Sequence, residues 1–235
     1  MRLDKQRVLV LGGSAGLGLA TAQAAAAEGA SVVIVSSRQE RLDGALASLP
    51  AGSMGFAVDL SLEKNIKTFF DAAGDFDHLV YTAGENLHLS PLEATELSSA
   101  RQFFNVRFWG AAASVRYGAP HIRPGGSIGL VGGIAGARPR KGWGYAAGIC
   151  AAMEGFTRAM AVELAPLRVN QVSPGIVRTG LWGEVPEQFF EETGKALPVG
   201  RVGEAEDIAR AFVYLMTQGF CTGQVLVVDG GAVLV

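Results

Sequence analysis

The chain has 235 residues, 49% hydrophobic and 18% charged, a composition that excludes intrinsic disorder and a length that suits one α/β domain over 1–235. Lys and Arg number 20 against 22 Asp and Glu, for a formal charge of −2; with no basic block, nucleic acid is excluded as a partner. No apolar run approaches the ~18 residues of a membrane span, and the one behind the N-terminus is too short for a signal-peptide core, so no membrane partner and a cytoplasmic location are expected.

Short β-branched runs alternate with longer segments of helical period. Strands are expected over 7–11, 31–36, 54–58, 78–82, 127–131, 168–172 and 224–228. Between them lie helical segments over 17–28, 41–49, 62–73, 97–119, 145–163 and 205–216, each with apolar residues at three- and four-residue intervals. This order predicts a doubly wound parallel sheet of about seven strands, with right-handed crossovers placing helices on both faces. The irregular stretch is 174–203, a loop long enough to serve as a substrate lid. Glycine, 32 residues, is about twice its usual ~7% share and has no collagen period, so it belongs to tight turns and close backbone approaches.

One such turn follows the first strand: Gly12-Gly13-Ser14-Ala15-Gly16-Leu17-Gly18, leading straight into an alanine-rich helix. Glycines let a backbone approach a pyrophosphate, and the helix start supplies free N–H groups and a favourable dipole. The second strand ends Val35-Ser36-Ser37-Arg38, with no carboxylate for ribose hydroxyls. A hydroxyl beside a guanidinium suits a 2′-phosphate, so NADP(H) is expected over NAD(H). Asp59, followed by Leu60, is placed to accept from an adenine amino group or to cap the next helix. Cys150 and Cys221 have no metal spacing and read as packing residues of a reducing compartment. No metal is expected.

These motifs resemble the short-chain dehydrogenase/reductases over essentially the whole chain, which implies a Rossmann-type single domain. The resemblance implies an adenine-contacting role for Asp59. It equates Ala83-Gly84, in Tyr81-Thr82-Ala83-Gly84, with the family's Asn-Asn-Ala-Gly segment, and Asn105 with the Asn of its proton relay. Tyr145 would be the catalytic Tyr, and Pro174, Gly175, Ile176 and Thr179 the nicotinamide-contacting segment. The similarity extends to Gly200-Arg201-Val202-Gly203, Asp207-Ile208-Ala209, Thr222-Gly223-Gln224 and Asp229-Gly230-Gly231.

The chain also departs from the family. Four residues after Tyr145, where the catalytic Lys belongs, stands Ile149, and Gly133 replaces the catalytic Ser. Leu11 stands where a Thr usually precedes the first glycine. Tyr145 is then left as proton donor for reducing a carbonyl-type group of a small apolar substrate with NADPH. Each lost preorganised donor costs about 10²–10³ in rate. The alternatives are a dinucleotide-binding sensor or scaffold without turnover, and non-redox chemistry such as isomerisation.

Arg138, Arg140 and Lys141 either fold over the site or form a solvated loop. Glu85 and His88 are either acids at the strand ends or surface groups, while His78 and His121 read as structural. Trp143, Trp182, Phe189 and Phe190 wall an apolar pocket or pack elsewhere. The resemblance further implies a homodimer or homotetramer formed through segments 97–119 and 145–163.

Overall fold

The structure, a computed structural model, describes residues 2–87 and 89–235. Its centre is a seven-stranded parallel sheet in the order β3-β2-β1-β4-β5-β6-β9. The strands are β1 (Arg7–Leu11), β2 (Ser31–Ser36), β3 (Met54–Ala57), β4 (Phe76–Tyr81), β5 (Ile122–Val131), β6 (Arg168–Pro174) and β9 (Val225–Val228). A two-stranded ribbon, β7 (Val177–Arg178) with β8 (Gly203–Glu204), lies apart from it. The helices are α1 (Gly16–Ala27), α2 (Gln39–Leu46), α3 (Glu63–Ala73), α4 (Leu97–Phe104), α5 (Ala111–Gly118), α6 (Gly144–Glu163), α7 (Glu187–Lys195) and α8 (Ala205–Thr217).

Strand periodicity divides the core in two. On β1 and β2, Leu9, Leu11, Val33 and Val35 point to one face, where they join Phe70, Leu79, Tyr81 and Ile128. Val8, Val10, Val32 and Ile34 point to the other, against Ala22 and Ala25 of α1 and Ile208, Phe212 and Leu215 of α8. Both faces of β1 are therefore apolar, as a strand covered by helices on both sides must be. Each fully buried Leu, Ile or Phe contributes about 1.5–3 kcal/mol. The alanines of α1 let α8 approach closely.

Two sequence expectations need correction. The segment 97–119 is not one regular helix, because a π-helical turn, Asn105–Gly110, separates α4 from α5. Nor is 174–203 simply a loop, since it holds β7, β8 and α7. Helix α7 is favoured by Glu187 in its first turn and Lys195 in its last. Its Phe190 is buried against Ile176 and Val202. Arg178 pairs with Glu187 at 2.5 Å and Glu204 at 3.2 Å, tying α7 to the ribbon. Among the described residues, no helix is long and apolar enough to cross a membrane.

Two buried polar side chains anchor the sheet's amino-terminal edge. Arg168, at the start of β6, donates to the carbonyls of Leu215, Met216 and Gln218 at 2.7–2.9 Å, satisfying acceptors that the end of α8 leaves free. His78 on β4 is 2% exposed. Its Nδ1 accepts from the Ser127 hydroxyl at 2.8 Å and its Nε2 donates to Gln6 Oε1 at 2.7 Å, the arrangement of a neutral ring. Burial, reinforced by the Arg168 charge, lowers its pKa to about 4.

The unfolded ring protonates near ~6.5, so the neutral folded ring contributes stability that is complete above that pH. The contribution declines by about 1.4 kcal/mol per pH unit as pH falls toward the folded value. Urea unfolding at pH 7.5 and pH 5 should show the wild type losing more stability than His78→Gln. Parallel losses would remove His78 from the acid response.

Candidate active site

A cavity of about 840 Å³ opens where β1, β2, β4, β5 and β6 end. Its position follows from the strand order, since connections leave β1 and β4 toward opposite sides of the sheet and part above it. Gly12 makes the close approach there. Its φ is +89°, and a Cβ on it would stand 2.6 Å from the Ala83 amide nitrogen. A Cβ on Gly18 would stand 2.6 Å from Thr82 Oγ1, so the first turn of α1 also nests against the end of β4. No side chain caps α1. Its initial N–H groups, at Gly16, Leu17 and Gly18, are left for an anion in the cavity they line.

The residues expected at the cofactor meet in this cavity: Gly12, Ser14, Ala15, Gly16, Leu17 and Gly18; Ser37 and Arg38; Asp59 and Leu60; Ala83 and Gly84; Pro174, Gly175, Ile176 and Thr179. Ser36, Arg41 and Ser61 join them. Ser14 Oγ donates to Ser36 Oγ at 2.8 Å, linking the glycine turn to β2. Asp59 Oδ1 accepts from the Ser61 N–H at 2.9 Å and its hydroxyl at 2.6 Å. The N-cap of α3 is Leu62, so the capping alternative for Asp59 falls.

The donor set and glycine cradle fit a phosphorylated dinucleotide. Ser36, Ser37, Arg38 and Arg41 offer hydroxyls and guanidinium groups where β2 ends, while α1 offers uncapped N–H groups. No carboxylate from β2 competes for the site.

The inner end departs from the sequence reading. Helix α6 lines it with Ala146, Ile149 and Cys150, and its buried stripe runs Ala146, Ile149, Met153, Thr157, Ala161. Tyr145 is not among the lining residues. It sits one residue before the stripe, about 100° around the helix. Ala146 and Cys150, four residues apart, both face the cavity, and Tyr145 lies beside its lining.

Gly133 does line the cavity, and a Cβ there would stand 3.2 Å from Cys150 Sγ. Cys150 is thus a cavity residue as well as a packing one. Burial pushes its thiol above the ordinary value, against the lowering effects of the Gly136 backbone and the Arg107 charge.

Asn105 stands where α4 gives way to α5. It opens the π-turn with Nδ2 donating to the Ser61 carbonyl at 3.3 Å and does not line the cavity, whereas Phe103, Val106 and Arg107 do. The buried Tyr81 hydroxyl donates to the Val106 carbonyl at 2.5 Å, bracing the turn. Arg107 Nη2 donates to the Glu85 carbonyl, and the guanidinium lies 4.7 Å from the Phe103 ring centre.

The remaining candidates sort by position. Glu85, Trp143 and Trp182 line the cavity, while Phe189 packs beside Trp182 in the α7 cluster. Arg138, Arg140 and Lys141 are exposed, and Arg140 stacks on Trp143. His121 faces Asp75 at 4.0 Å, far along the chain from these loops, and His88 lies outside the described residues. Across the mouth, the Leu87 N–H donates to the Leu181 carbonyl at 3.1 Å, joining the loop after β4 to the segment after β7.

The comparisons agree with this architecture. A family model described as Enoyl-(Acyl carrier protein) reductase matches residues 12–233. "Short-chain dehydrogenase/reductase ATR9" of Stachybotrys chlorohalonatus is 36% identical over 97% of both chains. Carbonyl reductase family member 4 of Danio rerio is 32% identical over 95% of this chain and 96% of its own. A small-chain dehydrogenase crystallised with NADPH superposes with a TM-score of 0.88 at 35% identity, covering 99% of this chain and 100% of that one. The MalC reductase/Diels-Alderase of Malbranchea aurantiaca reaches 0.91 at 28% identity, covering 100% and 98%. The chain belongs to the short-chain dehydrogenase/reductase family.

The glycine cradle yields a stability test. Gly52 shares the left-handed conformation, at φ +91°, but has nothing within 4 Å of an added Cβ. Gly52→Ala should cost about 1–3 kcal/mol from backbone strain alone. Gly12→Ala should lose clearly more in the same denaturant titration. Equal losses would show that the Ala83 contact yields without penalty.

Proposed function

We propose that this short-chain dehydrogenase/reductase uses NADP(H) to reduce a carbonyl-type group of a small, largely apolar substrate, with a catalytic set other than the family's Ser, Tyr and Lys. The observation that carries this reading is the cavity's polar end: an uncapped helix start, a glycine cradle, and Ser37, Arg38 and Arg41 with no acid on β2. NADPH bound to the similar dehydrogenase supports the choice of cofactor.

In this reading the α1 N–H groups hold the pyrophosphate, and Ser37, Arg38 and Arg41 hold the 2′-phosphate. Asp59 accepts from the adenine amino group, while Pro174, Gly175, Ile176 and Thr179 orient the nicotinamide carboxamide. The bound cofactor supplies hydride. Val131, Ile134 and Ile149 keep water from the inner end. Tyr145 lies beside the lining residues, so the proton for the developing alkoxide is taken from water at the mouth of the cavity.

A second reading is favoured by Gly133, Ala146 and Cys150, none of which carries the family's catalytic hydroxyl or ammonium: the chain binds the dinucleotide without consuming it, as a sensor or in isomerase-type chemistry. For either reading we expect a homodimer or homotetramer formed through α4, α5 and α6, supported by the exposed Leu97, Trp109 and Val162. Light scattering at the monomer mass would remove that expectation.

Trp143 and Trp182 line the cavity and report its occupancy by fluorescence. NADPH should bind at least about tenfold more tightly than NADH, and Arg38→Asp should erase the difference. On a panel of aldehydes and ketones, Tyr145→Phe should keep kcat/KM within about twofold of wild type; a loss of about 10²-fold would return the phenol to the mechanism. Binding without turnover of any panel member favours the second reading, and no binding of either dinucleotide overturns both.

A further inference from the structure

The π-turn after α4 brings a guanidinium to the inner end of the cavity and leaves it short of partners. Arg107 Nη2 is satisfied by the Glu85 carbonyl and one face of the group rests on Phe103. Its Nε is buried with no acceptor among the described residues. Glu85 acts on it through space only, and no ion pair forms between them. Burial lowers its pKa, and the Glu85 charge offsets that only in part.

The space is kept for it. A Cβ on Gly84 would stand 2.8 Å from the Arg107 Cζ. The cavity that Arg107 lines also carries the apolar side chains of Val106, Val131, Ile149, Trp143 and Leu181, and the Glu85 carboxylate acts on the guanidinium through space without an ion pair. A desolvated, unpaired charge lowers stability, and an apolar residue of similar volume would be better tolerated. The π-turn that carries Arg107 is a device frequently found at functional sites. The phosphate groups of a dinucleotide have their own donors at the glycine turn and at Ser37, Arg38 and Arg41.

We propose that Arg107 determines substrate specificity by binding a carboxylate: the substrate carries an anionic carboxylate on an apolar or aromatic body, and the guanidinium takes it as a fork of charge-assisted hydrogen bonds. This inference rests on reading the inner end as the substrate end of the proposed reductase.

The test is calorimetric titration with 2-naphthoate and its neutral counterpart 2-naphthamide, with and without saturating NADPH, on wild type, Arg107→Lys and Arg107→Met. The wild type should bind the acid at least about tenfold more tightly than the amide. Arg107→Lys should keep part of that preference and Arg107→Met none, with NADPH affinity unchanged in all three. Thermal melting controls for folding, and Arg107→Met should melt no lower than wild type because it removes a buried, unpaired charge.

The proposal is overturned if wild type binds acid and amide equally, if it binds neither at millimolar concentration, or if Arg107→Met weakens NADPH as much as the acid, which would assign the guanidinium to the dinucleotide. Failure of wild type to bind NADPH, with acid preference intact, would sink the proposed cofactor and leave carboxylate recognition standing.

Discussion

Everything at the site depends on the contact between two stretches of backbone, Gly12 after β1 and Ala83 after β4. These strands are neighbours in the sheet, and their connections part in opposite directions just above that contact. The nearer the two backbones lie, the more directly α1 is aimed into the space between them. A side chain at residue 12 would hold them apart and turn the helix start away. The two-faced core fixes the same geometry from below, because α1 is held to the sheet by Ala22 and Ala25 against α8.

The cavity so formed has two chemically distinct ends. One is built from backbone N–H groups, hydroxyls and exposed guanidinium groups, where water screens the charges and anions exchange readily. The other is more apolar and holds the half-buried Arg107, whose Nε is buried with no acceptor among the described residues. Electrostatic interactions are stronger at the second end, since little solvent screens them. Gly133, Ala146 and Cys150 bring no hydroxyl or ammonium there, so the charges at that end are those of Arg107 and Glu85.

The sequence made the fold legible because alternation of β-branched runs and helical periods is a property of whole segments, and an error of a residue or two at a boundary moves no strand. The polar end was legible for a related reason: its groups are largely main-chain atoms in contiguous stretches, so naming Gly12 to Gly18 names the site. The inner end depends instead on helix phase, where one residue is worth about 100° of rotation. Tyr145 headed a helix at the right place in the chain, yet Ala146 takes the cavity face. The stripe Ala146, Ile149, Met153 carries that phase and leaves Tyr145 outside it. Asn105 and Arg107 differ for another reason. The π-turn changes the phase within a helix that sequence periodicity treats as continuous, and its brace, the Tyr81 hydroxyl on the Val106 carbonyl, is a tertiary contact.

The packing of Gly133 against Cys150 has an evolutionary consequence. A Cβ on residue 133 would press on the sulfur at 3.2 Å, so a side chain there requires the thiol to shift, and substitutions at the two positions are coupled. A serine introduced alone meets the thiol, and a lysine introduced alone at 150 finds no hydroxyl to work with.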